Sequence, residues 1–218
     1  MPRVFCYVDP VSPYAWLALH ALRRIEQAAG APVELVPVLF AGLLKAHGNI
    51  GPAELPAKRR YVFRDVMREA ARRGLPFAGP PGHPFNPLLA LRACTAVTEP
   101  AQRMTLMLAL ANGCWAQGAD LSDAETLARL AGAAGFDGAA LLAAAGTPAV
   151  KQALADATAQ AAAVGVFGVP TFRIEGDTEL FWGADRVDAL LWRLHGQGID
   201  EAALEDFLAR PPLAVRKT

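Results

Sequence analysis

The chain has 218 residues, which is enough to bury a substantial hydrophobic core as one large domain or two small ones. Hydrophobic residues make up 53% of the sequence and charged residues 19%, a balance that excludes an intrinsically disordered chain. The 21 basic residues equal the 21 acidic ones, so no net charge attracts nucleic acid, and we predict no nucleic-acid partner.

Membrane segments and metal sites are not predicted either. No apolar run approaches the ~18–20 residues of a membrane-spanning helix, and a strand pattern begins within a few residues of Met1. The three cysteines, Cys6, Cys94 and Cys114, are widely spaced in apolar surroundings, which is typical of reduced core residues. The four histidines lack zinc-ligand spacing. We therefore predict a cytoplasmic protein that binds neither membrane nor metal.

The amino-terminal segment predicts a strand followed by a helix. Residues 4–8 are mostly β-branched and aromatic, which favours a strand. Ser12 followed by Pro13 is typical of a helix start, with serine as the N-cap and proline at the first helical position. Apolar residues then recur at helical spacing as far as Gly30, where we expect this helix to end.

A second strand is predicted over 33–39, which completes a β-α-β unit with a right-handed crossover. Strand patterns then stop until about residue 165. Helical patterns bounded by glycine and proline replace them, over 54–73, 87–98, 100–117, 122–134 and 147–164. Ser122 and Glu125 match a capping box at the start of one of these helices.

The last part of the chain returns to strands. Two are predicted, over 171–175 and 178–182, followed by helices over 184–194 and 199–209. The element order predicts the α/β class: a thioredoxin-like βαβ–ββα domain with a large all-helical insertion. We accordingly divide the chain into a discontinuous thioredoxin-like domain, 1–40 plus 165–218, and a helical insertion domain, 41–164.

Two segments indicate the chemistry of this fold. Pro170 opens a strand directly after a glycine-containing turn, a position that tolerates a missing N–H where it faces a ligand, and we expect a cis bond from Val169 to Pro170. Such a turn exposes the backbone of Val169 to an extended peptide. Redox members of the fold carry C-x-x-C at the turn into the first helix. Here residues 12–15 read Ser-Pro-Tyr-Ala, which removes the redox chemistry and leaves a hydroxyl.

Four motifs in order resemble a known family. They are Asp-x-x-Ser-Pro-Tyr at 9–14, Gly48-Asn49 with Lys58 nine residues beyond Asn49, Gly-Val-Phe-Gly-Val-Pro-Thr-Phe at 165–172, and Phe-Trp-Gly-x-Asp-Arg at 181–186. From Arg3 to about His195 the chain resembles the 2-hydroxychromene-2-carboxylate isomerases, which belong with the kappa-class glutathione transferases. The resemblance implies glutathione as cofactor, a small aromatic substrate and a homodimer.

The resemblance also implies which residues form the site. Ser12 is the catalytic residue, donating a hydrogen bond to the glutathione sulfur, although it could also serve only as a helix cap. The implied glutathione-binding residues are Asn49, Lys58, Val169, Pro170, Ala184 and Asp185. Val169 pairs with the cysteinyl backbone. Ala184 and Asp185, at a predicted helix start, bind the γ-glutamyl end, and Asn49 and Lys58 reach the glycyl end. A weaker signal, after a proline- and glycine-rich loop, assigns the second-substrate wall to Phe85 and Asn86.

The implied reaction is a cis–trans isomerisation. The glutathione thiolate adds to the conjugated system of the ring-opened aromatic substrate, the resulting single bond rotates, and the thiolate leaves to give trans-o-hydroxybenzylidenepyruvate. An arginine of the insertion would hold the substrate carboxylate, but the sequence does not say which one. Two alternatives stay open: a kappa-type glutathione transferase or peroxidase that consumes glutathione, and a non-catalytic peptide-binding module of the thioredoxin fold.

Overall fold

A four-stranded sheet organises residues 2–214, the part of the chain that the computed structural model describes. The strands are β1 (Val4–Val8), β2 (Val33–Pro37), β3 (Thr171–Ile174) and β4 (Leu180–Trp182), in the spatial order β2-β1-β3-β4. β1 pairs in parallel with β2 and antiparallel with β3, and β3 pairs antiparallel with β4. The register sets Tyr7 opposite Thr171, so the carboxyl end of β1 meets the beginning of β3.

Eleven α-helices accompany the sheet in the described part of the chain. Two lie between β1 and β2, seven between β2 and β3, and two after β4. They are α1 (Pro13–Leu19), α2 (Leu22–Ala29), α3 (Phe40–Ala46), α4 (Pro56–Arg72), α5 (Leu88–Ala96), α6 (Pro100–Gln117), α7 (Ala124–Ala133), α8 (Gly138–Ala145), α9 (Pro148–Ala163), α10 (Val187–Leu194) and α11 (Glu201–Leu208). Across residues 2–214, no helix combines the length and the apolar character needed to cross a bilayer. The predicted sequence of a β-α-β unit, an inserted series of helices, and two strands followed by two helices is confirmed, although α3 and α8 lie outside the predicted helices.

The main hydrophobic core joins the sheet to the inserted helices. Val4 of β1, Trp16 of α1 and Phe172 of β3 share this core with Leu106 and Trp115 of α6. The strands and the helices between β2 and β3 therefore bury their apolar faces together. The division of the chain into 1–40 plus 165–218 and 41–164 stays a prediction, and its residues 1 and 215–218 lie outside the described residues.

The amino-terminal helical segment differs from its prediction. The sequence predicted one helix from Ser12 to Gly30, but the structure has two, α1 and α2, separated by His20 and Ala21. At the break the Ala21 N–H donates to Ala18 O (2.8 Å), one residue closer than in an α-helix. Asn112 of α6 accepts from Trp16 Nε1 (2.8 Å) and contacts His20 Nε2 (2.9 Å). The break is therefore held by tertiary contacts, which an uninterrupted apolar pattern does not reveal.

Two further differences concern the inserted helices. α3 was not predicted as a helix. The predicted capping box of Ser122 and Glu125 was wrong, because Asp123 is the N-cap of α7 and its carboxylate accepts from Thr126 N (2.8 Å). Ser122 Oγ instead donates to Asp120 (2.6 Å). A carboxylate next to a serine competes for the capping position, and both are strong N-cap residues.

Close approach of α7 and α8 gives a test of this packing. A Cβ added to Gly138 would lie 2.6 Å from Ala128 O, whereas one added to Gly132 of α7 meets nothing within 4 Å. We expect Gly138→Ala to lower the free energy of unfolding by about 1–3 kcal/mol through overpacking. Gly132→Ala, the matched control, should raise it by up to about 1 kcal/mol through helix propensity. Urea denaturation measures both, and equal effects of the two substitutions would contradict the packing.

Candidate functional site

A large cavity lies where the end of β1, the first turn of α1 and the beginning of β3 meet. Its volume is about 1490 Å³, and α4 forms part of its wall through Tyr61, Val62 and Asp65. The site residues predicted from the sequence that line it are Ser12, Phe85, Val169, Pro170, Ala184 and Asp185. The fold thus brings together residues from both ends of the chain. Among the described residues, no three His, Cys, Asp or Glu side chains cluster as a metal ion would require.

Ser12 is placed where the two halves of the site touch. As predicted, it is the N-cap of α1: its Oγ accepts from Ala15 N (3.3 Å), and Pro13 is the first helical residue. The same hydroxyl donates to Val169 O (3.2 Å), and the side chain is buried. Ser12 therefore donates its hydrogen bond to the segment that precedes Pro170, and the acceptor residue, Val169, is 157 residues further along the chain.

The Val169 segment is a tightly held turn. The Val169–Pro170 bond is cis, as expected from the sequence. Thr171 Oγ1 donates to Gly168 O (2.7 Å), and Gly183 N donates to Pro170 O (2.9 Å), which joins this turn to the end of β4. A Cβ added to Gly168 would lie 2.6 Å from Nε1 of Trp182, so any other residue at this position would have to displace the indole ring. The turn is thus fixed on both sides of the backbone that a ligand would contact.

Asp9 holds the loop that carries Ser12 through hydrogen bonds. Sequence analysis included Asp9 in a motif but did not predict this role. The carboxylate is fully buried and accepts from Val11 N and Phe40 N, both at 2.9 Å. The Ser12 N–H donates to Asp9 O (3.1 Å). Burial is the main cause that raises the pKa of Asp9 to about 7, and the two backbone N–H groups act in the opposite direction.

Two aromatic side chains from the inserted segment hold the same loop. Trp115 Nε1 donates to Pro10 O (2.9 Å), and His83 Nε2 lies 3.0 Å from Val11 O. Because a carbonyl only accepts, His83 Nε2 carries the proton. Burial lowers the pKa of His83, which favours the neutral ring. Its Nδ1 is then a buried acceptor with no hydrogen-bond partner among residues 2–214. Residues 10–12 are thus each held by a separate contact.

The turn before α10 corrects one expectation. The sequence predicted that Ala184 and Asp185 open a helix, but α10 begins at Val187. Gly183 has φ +118°, and Arg186 N donates to its carbonyl (3.2 Å), so a turn forms first and delays the helix. Ala184 is buried, and the carboxylate of Asp185 is 71% exposed and paired with Arg186 (Nη2–Oδ2 3.1 Å). The N–H groups at this helix start therefore belong to residues after Asp185.

Three predicted residues do not line the cavity: Asn49, Lys58 and Asn86. Asn49 is exposed in the turn after α3, where its N–H donates to Leu44 O (2.9 Å), and Leu44 does line the cavity. Lys58 is exposed in the first turn of α4. Asn86 is exposed, and its Oδ1 accepts from Leu88 N (3.1 Å) at the start of α5. In this structure Asn86 supports a helix end instead of the cavity wall.

Polar side chains of α1 and α4 that sequence analysis did not assign to the site also line the cavity. Tyr14 OH donates to Asp65 Oδ2 (2.9 Å), and Arg68 Nη1 donates to Asp65 Oδ1 (2.9 Å). Burial and then Asp65 raise the pKa of Tyr14 above its ordinary value, so its hydroxyl stays protonated. Four arginines also line the cavity: Arg24, Arg72, Arg73 and Arg186. The sequence signal that could have indicated Tyr14 is its position two residues after Ser12, in the same motif.

The chain is similar to known proteins in both sequence and structure. The chain is 29% identical over 206 residues to glutathione S-transferase kappa 1 of Rattus norvegicus, covering 88% of this chain and 91% of the relative. It is 29% identical over 188 residues to 2-hydroxychromene-2-carboxylate isomerase of Sphingobium xenophagum, covering 84% and 93%. A solved structure of a 2-hydroxychromene-2-carboxylate isomerase superposes with a TM-score of 0.81 at 24% identity, covering 95% of this chain and all of that one.

These relatives carry the two names that the sequence motifs indicated, so the predicted resemblance is confirmed. The thioredoxin-like α/β fold is confirmed as well, since residues 3–195 match a single family of that fold. The chain belongs to the DSBA-like thioredoxin domain family.

Proposed function

We propose that this protein is a glutathione-dependent cis–trans isomerase that converts 2-hydroxychromene-2-carboxylate to trans-o-hydroxybenzylidenepyruvate. The observation that carries the proposal is the contact between Ser12 and Val169. It puts a hydroxyl, a helix N-terminus and the backbone before Pro170 in one large cavity, at the position where a redox enzyme of this fold has a cysteine. The names of the relatives, isomerases and glutathione transferases, agree with a thiol cofactor.

The glutathione sulfur would replace Val169 O as the partner of the Ser12 hydroxyl. The carbonyl of Val169 would then accept from the cysteinyl N–H of glutathione, so no buried polar group loses its hydrogen bond. Pro170 would hold this backbone in position. Asp9 and Trp115 act indirectly, because they fix the loop that carries Ser12.

The gain in thiol acidity follows from these contacts. A free thiol has a pKa of about 8.5, so little of it is ionised at neutral pH. α1 has only seven residues, and its N-terminus favours an anion by about 0.3–1 kcal/mol. The Ser12 hydroxyl adds about 1.5–3 kcal/mol as a hydrogen bond to a charged group. Together they lower the thiol pKa by about two units, since one unit equals ~1.4 kcal/mol. Bound glutathione is then mostly thiolate at pH 7.

The two ends of glutathione would lie on opposite sides of this anchor. We assign the γ-glutamyl end to the 183–185 turn, where buried Ala184 offers its backbone and Asp185 faces the ammonium group. To do so, Asp185 would give up its exposed pairing with Arg186. We keep Asn49 and Lys58 as ligands of the glycyl carboxylate. They lie outside the cavity lining, but Lys58 precedes Tyr61 and Val62 by about one turn of α4, and Asn49 precedes Gly51 by two residues, and these neighbours do line the cavity.

The proposed chemistry returns glutathione unchanged. The hemiketal ring of the substrate first opens: the bond from carbon 2 to the ring oxygen breaks, the 2-hydroxyl becomes a ketone, and its proton passes to the phenol oxygen. The thiolate then forms a carbon–sulfur bond at the conjugated carbon, and the electron pair of the carbon–carbon double bond moves toward this carbonyl. The former double bond rotates as a single bond. The electron pair then returns, the double bond re-forms as trans, and the carbon–sulfur bond breaks to release the thiolate. Phe85 would line the aromatic ring, and Asn86 would contact substrate only after leaving Leu88 N.

The runner-up function is a kappa-type glutathione transferase, which the 29% identity to the rat transferase over most of the chain favours. In that case the carbon–sulfur bond is kept and glutathione is consumed. The site described above serves both reactions up to the first addition. A non-catalytic peptide-binding module would need the same turn without the thiolate.

One assay separates these functions. Substrate loss is followed by absorbance with and without glutathione, and free thiol is quantified at the end. We expect turnover that depends on glutathione with full recovery of free thiol. Stoichiometric loss of thiol would assign the protein to the transferases, and turnover without glutathione would contradict the mechanism. Calorimetry with glutathione against unrelated extended peptides tests the binding module, which predicts equal affinities.

Two predictions accompany the proposed function. We expect a homodimer, which sedimentation would measure. We also expect the protein to work in the cytoplasm, where glutathione is abundant and where its three buried cysteines, Cys6, Cys94 and Cys114, stay as free thiols. Burial raises the pKa of each of these thiols, so none of them competes with glutathione as a nucleophile.

A further inference from the structure

The four arginines that line the cavity differ in their ion pairs with carboxylates, and three of them are paired and exposed. Arg24 pairs with Asp188 (2.7 Å), Arg72 with Glu69 (2.6 Å), and Arg186 with Asp185 (3.1 Å). The side chains of these three arginines are 57–72% exposed.

Arg73 is different. Among residues 2–214 it pairs with one carboxylate, that of Glu69 at 3.4 Å, and this carboxylate is already bound to Arg72. At 29% exposed, its side chain is also the most buried of the four. Arg73 is therefore the cavity arginine whose positive charge is least neutralised, and it is held where water screens charge less.

The break between α1 and α2 creates the position of Arg73. In an unbroken helix Leu17 O would accept from the N–H of Ala21. Here Ala21 N turns to Ala18 O, and Arg73 Nη1 donates to Leu17 O instead (2.9 Å). One N–H of Nη1 is thus held by backbone and one N–H of Nη2 by Glu69 (3.4 Å), which leaves the other N–H groups of the guanidinium to bind a planar anion.

The surroundings of Arg73 suit an aromatic acid. Leu17, Ala21 and Leu75 line the cavity beside it and provide apolar surface. Ser12 lies five residues before Leu17 on the same helix, which is about 7.5 Å along the axis. In the proposed substrate only a few bonds separate the carbon that the thiolate attacks from the carboxylate. A substrate that lies along α1 can therefore reach both groups.

We infer that Arg73 is the carboxylate-binding residue of the second-substrate site and that it restricts the enzyme to aromatic substrates carrying a carboxylate. This inference rests on the proposed function for the position of the sulfur. The helix break at His20 and Ala21 is then part of the site, since it frees Leu17 O to orient the guanidinium. Arg73 acts on substrate binding, and glutathione does not contact it.

The test compares two aromatic ligands of the same size, one of which carries a charged carboxylate and the other a neutral amide. Calorimetry titrates trans-cinnamate and neutral trans-cinnamamide into the protein, both with and without glutathione. We expect the protein to bind cinnamate about ten-fold more tightly than cinnamamide, as a charge-assisted hydrogen bond would give. Arg73→Gln should remove this preference and leave glutathione affinity unchanged. Arg64→Gln, the control, removes the same charge from an exposed position of α4 outside the cavity and should keep the preference.

A second variant gives an effect of the opposite sign. Glu69→Gln removes the carboxylate that competes for Arg73, so we expect the preference for cinnamate to increase. An unchanged or smaller preference in Glu69→Gln, or a preference that survives in Arg73→Gln, would overturn the inference. If Arg73→Gln does not fold, Glu69→Gln is compared with the double variant Arg72→Gln/Glu69→Gln, because Arg72 also pairs with Glu69 and lines the cavity. An increase that persists without Arg72 supports Arg73, and one that disappears overturns the inference. If the unmodified protein does not bind glutathione, the proposed function is contradicted. The inference about Arg73 is tested separately, because the cinnamate titration without glutathione measures binding of the carboxylate alone.

Discussion

Replacing Ser12 with alanine is expected to raise the thiolate midpoint of bound glutathione by about one to two pH units. The shift follows from losing a hydrogen bond to a charged sulfur, worth about 1.5–3 kcal/mol. Ultraviolet thiolate absorbance, titrated on the complex, measures it directly. At pH 7 the same substitution should lower turnover by about 3–25-fold, because the thiolate fraction falls by that factor when the thiol pKa rises from about 6.5 by one to two units.

A cap on another helix separates the two roles of Ser12. Thr147 is the N-cap of α9, accepts from Val150 N (3.4 Å) and precedes Pro148, just as Ser12 precedes Pro13. Ser12→Ala and Thr147→Ala should each lower the free energy of unfolding by about 1 kcal/mol. Only Ser12→Ala should move the thiolate midpoint. An identical midpoint in both variants would leave Ser12 as a helix cap.

Replacing Asp9 with alanine is expected to lower the free energy of unfolding by about 2–4 kcal/mol. The substitution leaves the N–H groups of Val11 and Phe40 buried without an acceptor, at about 1–3 kcal/mol each. Asp9→Asn keeps the size and one acceptor oxygen, so its loss should be smaller. Urea denaturation measures both. A loss below about 0.5 kcal/mol in Asp9→Ala, typical of a surface site, would contradict the supporting role of Asp9.

The titration of Asp9 predicts how stability depends on pH. Its folded-state pKa of about 7 lies above the ordinary value, near 3.9, of the unfolded chain. Between these values the folded state binds a proton that the unfolded state has lost. The stability that this proton provides is complete below about pH 4 and is lost as the pH rises through about 7, at up to ~1.4 kcal/mol per unit.

Comparison with Asp9→Asn isolates this titration, since asparagine has no proton to lose. The unfolding free energy of the unmodified protein minus that of Asp9→Asn should fall as the pH rises from about 5 to about 7, and should then level off. A difference that stays constant over this range would show that Asp9 keeps an ordinary pKa in the folded protein.

Local sequence signals predicted the two halves of the site. Ser12 followed by Pro13 fixes the start of α1 through capping chemistry that needs no distant partner. Pro170 after a glycine-containing turn marked the other half, and the cis bond is as expected. These features depend on neighbours in sequence, so a pattern is sufficient to find them.

The supporting residues depend on distant partners and could not be placed in this way. Asp9 gains its role from Phe40, 31 residues along the chain, and the end of α1 is fixed by Asn112 and Arg73. Apolar spacing continues through the break after α1, so the pattern indicated one helix. At Ala184 the error was local: Gly183 inserts a turn before the helix, and a glycine that could end a strand could equally extend a turn.

A structure of the complex with glutathione would show directly whether Ser12 binds the thiolate. We expect glutathione in the cavity of Ser12, with its sulfur in hydrogen-bonding contact with Ser12 Oγ and its cysteinyl N–H donating to Val169 O. The Ser12–Val169 hydrogen bond of 3.2 Å should then be broken. Glutathione bound with its sulfur away from Ser12, while that bond stays intact, would contradict the account.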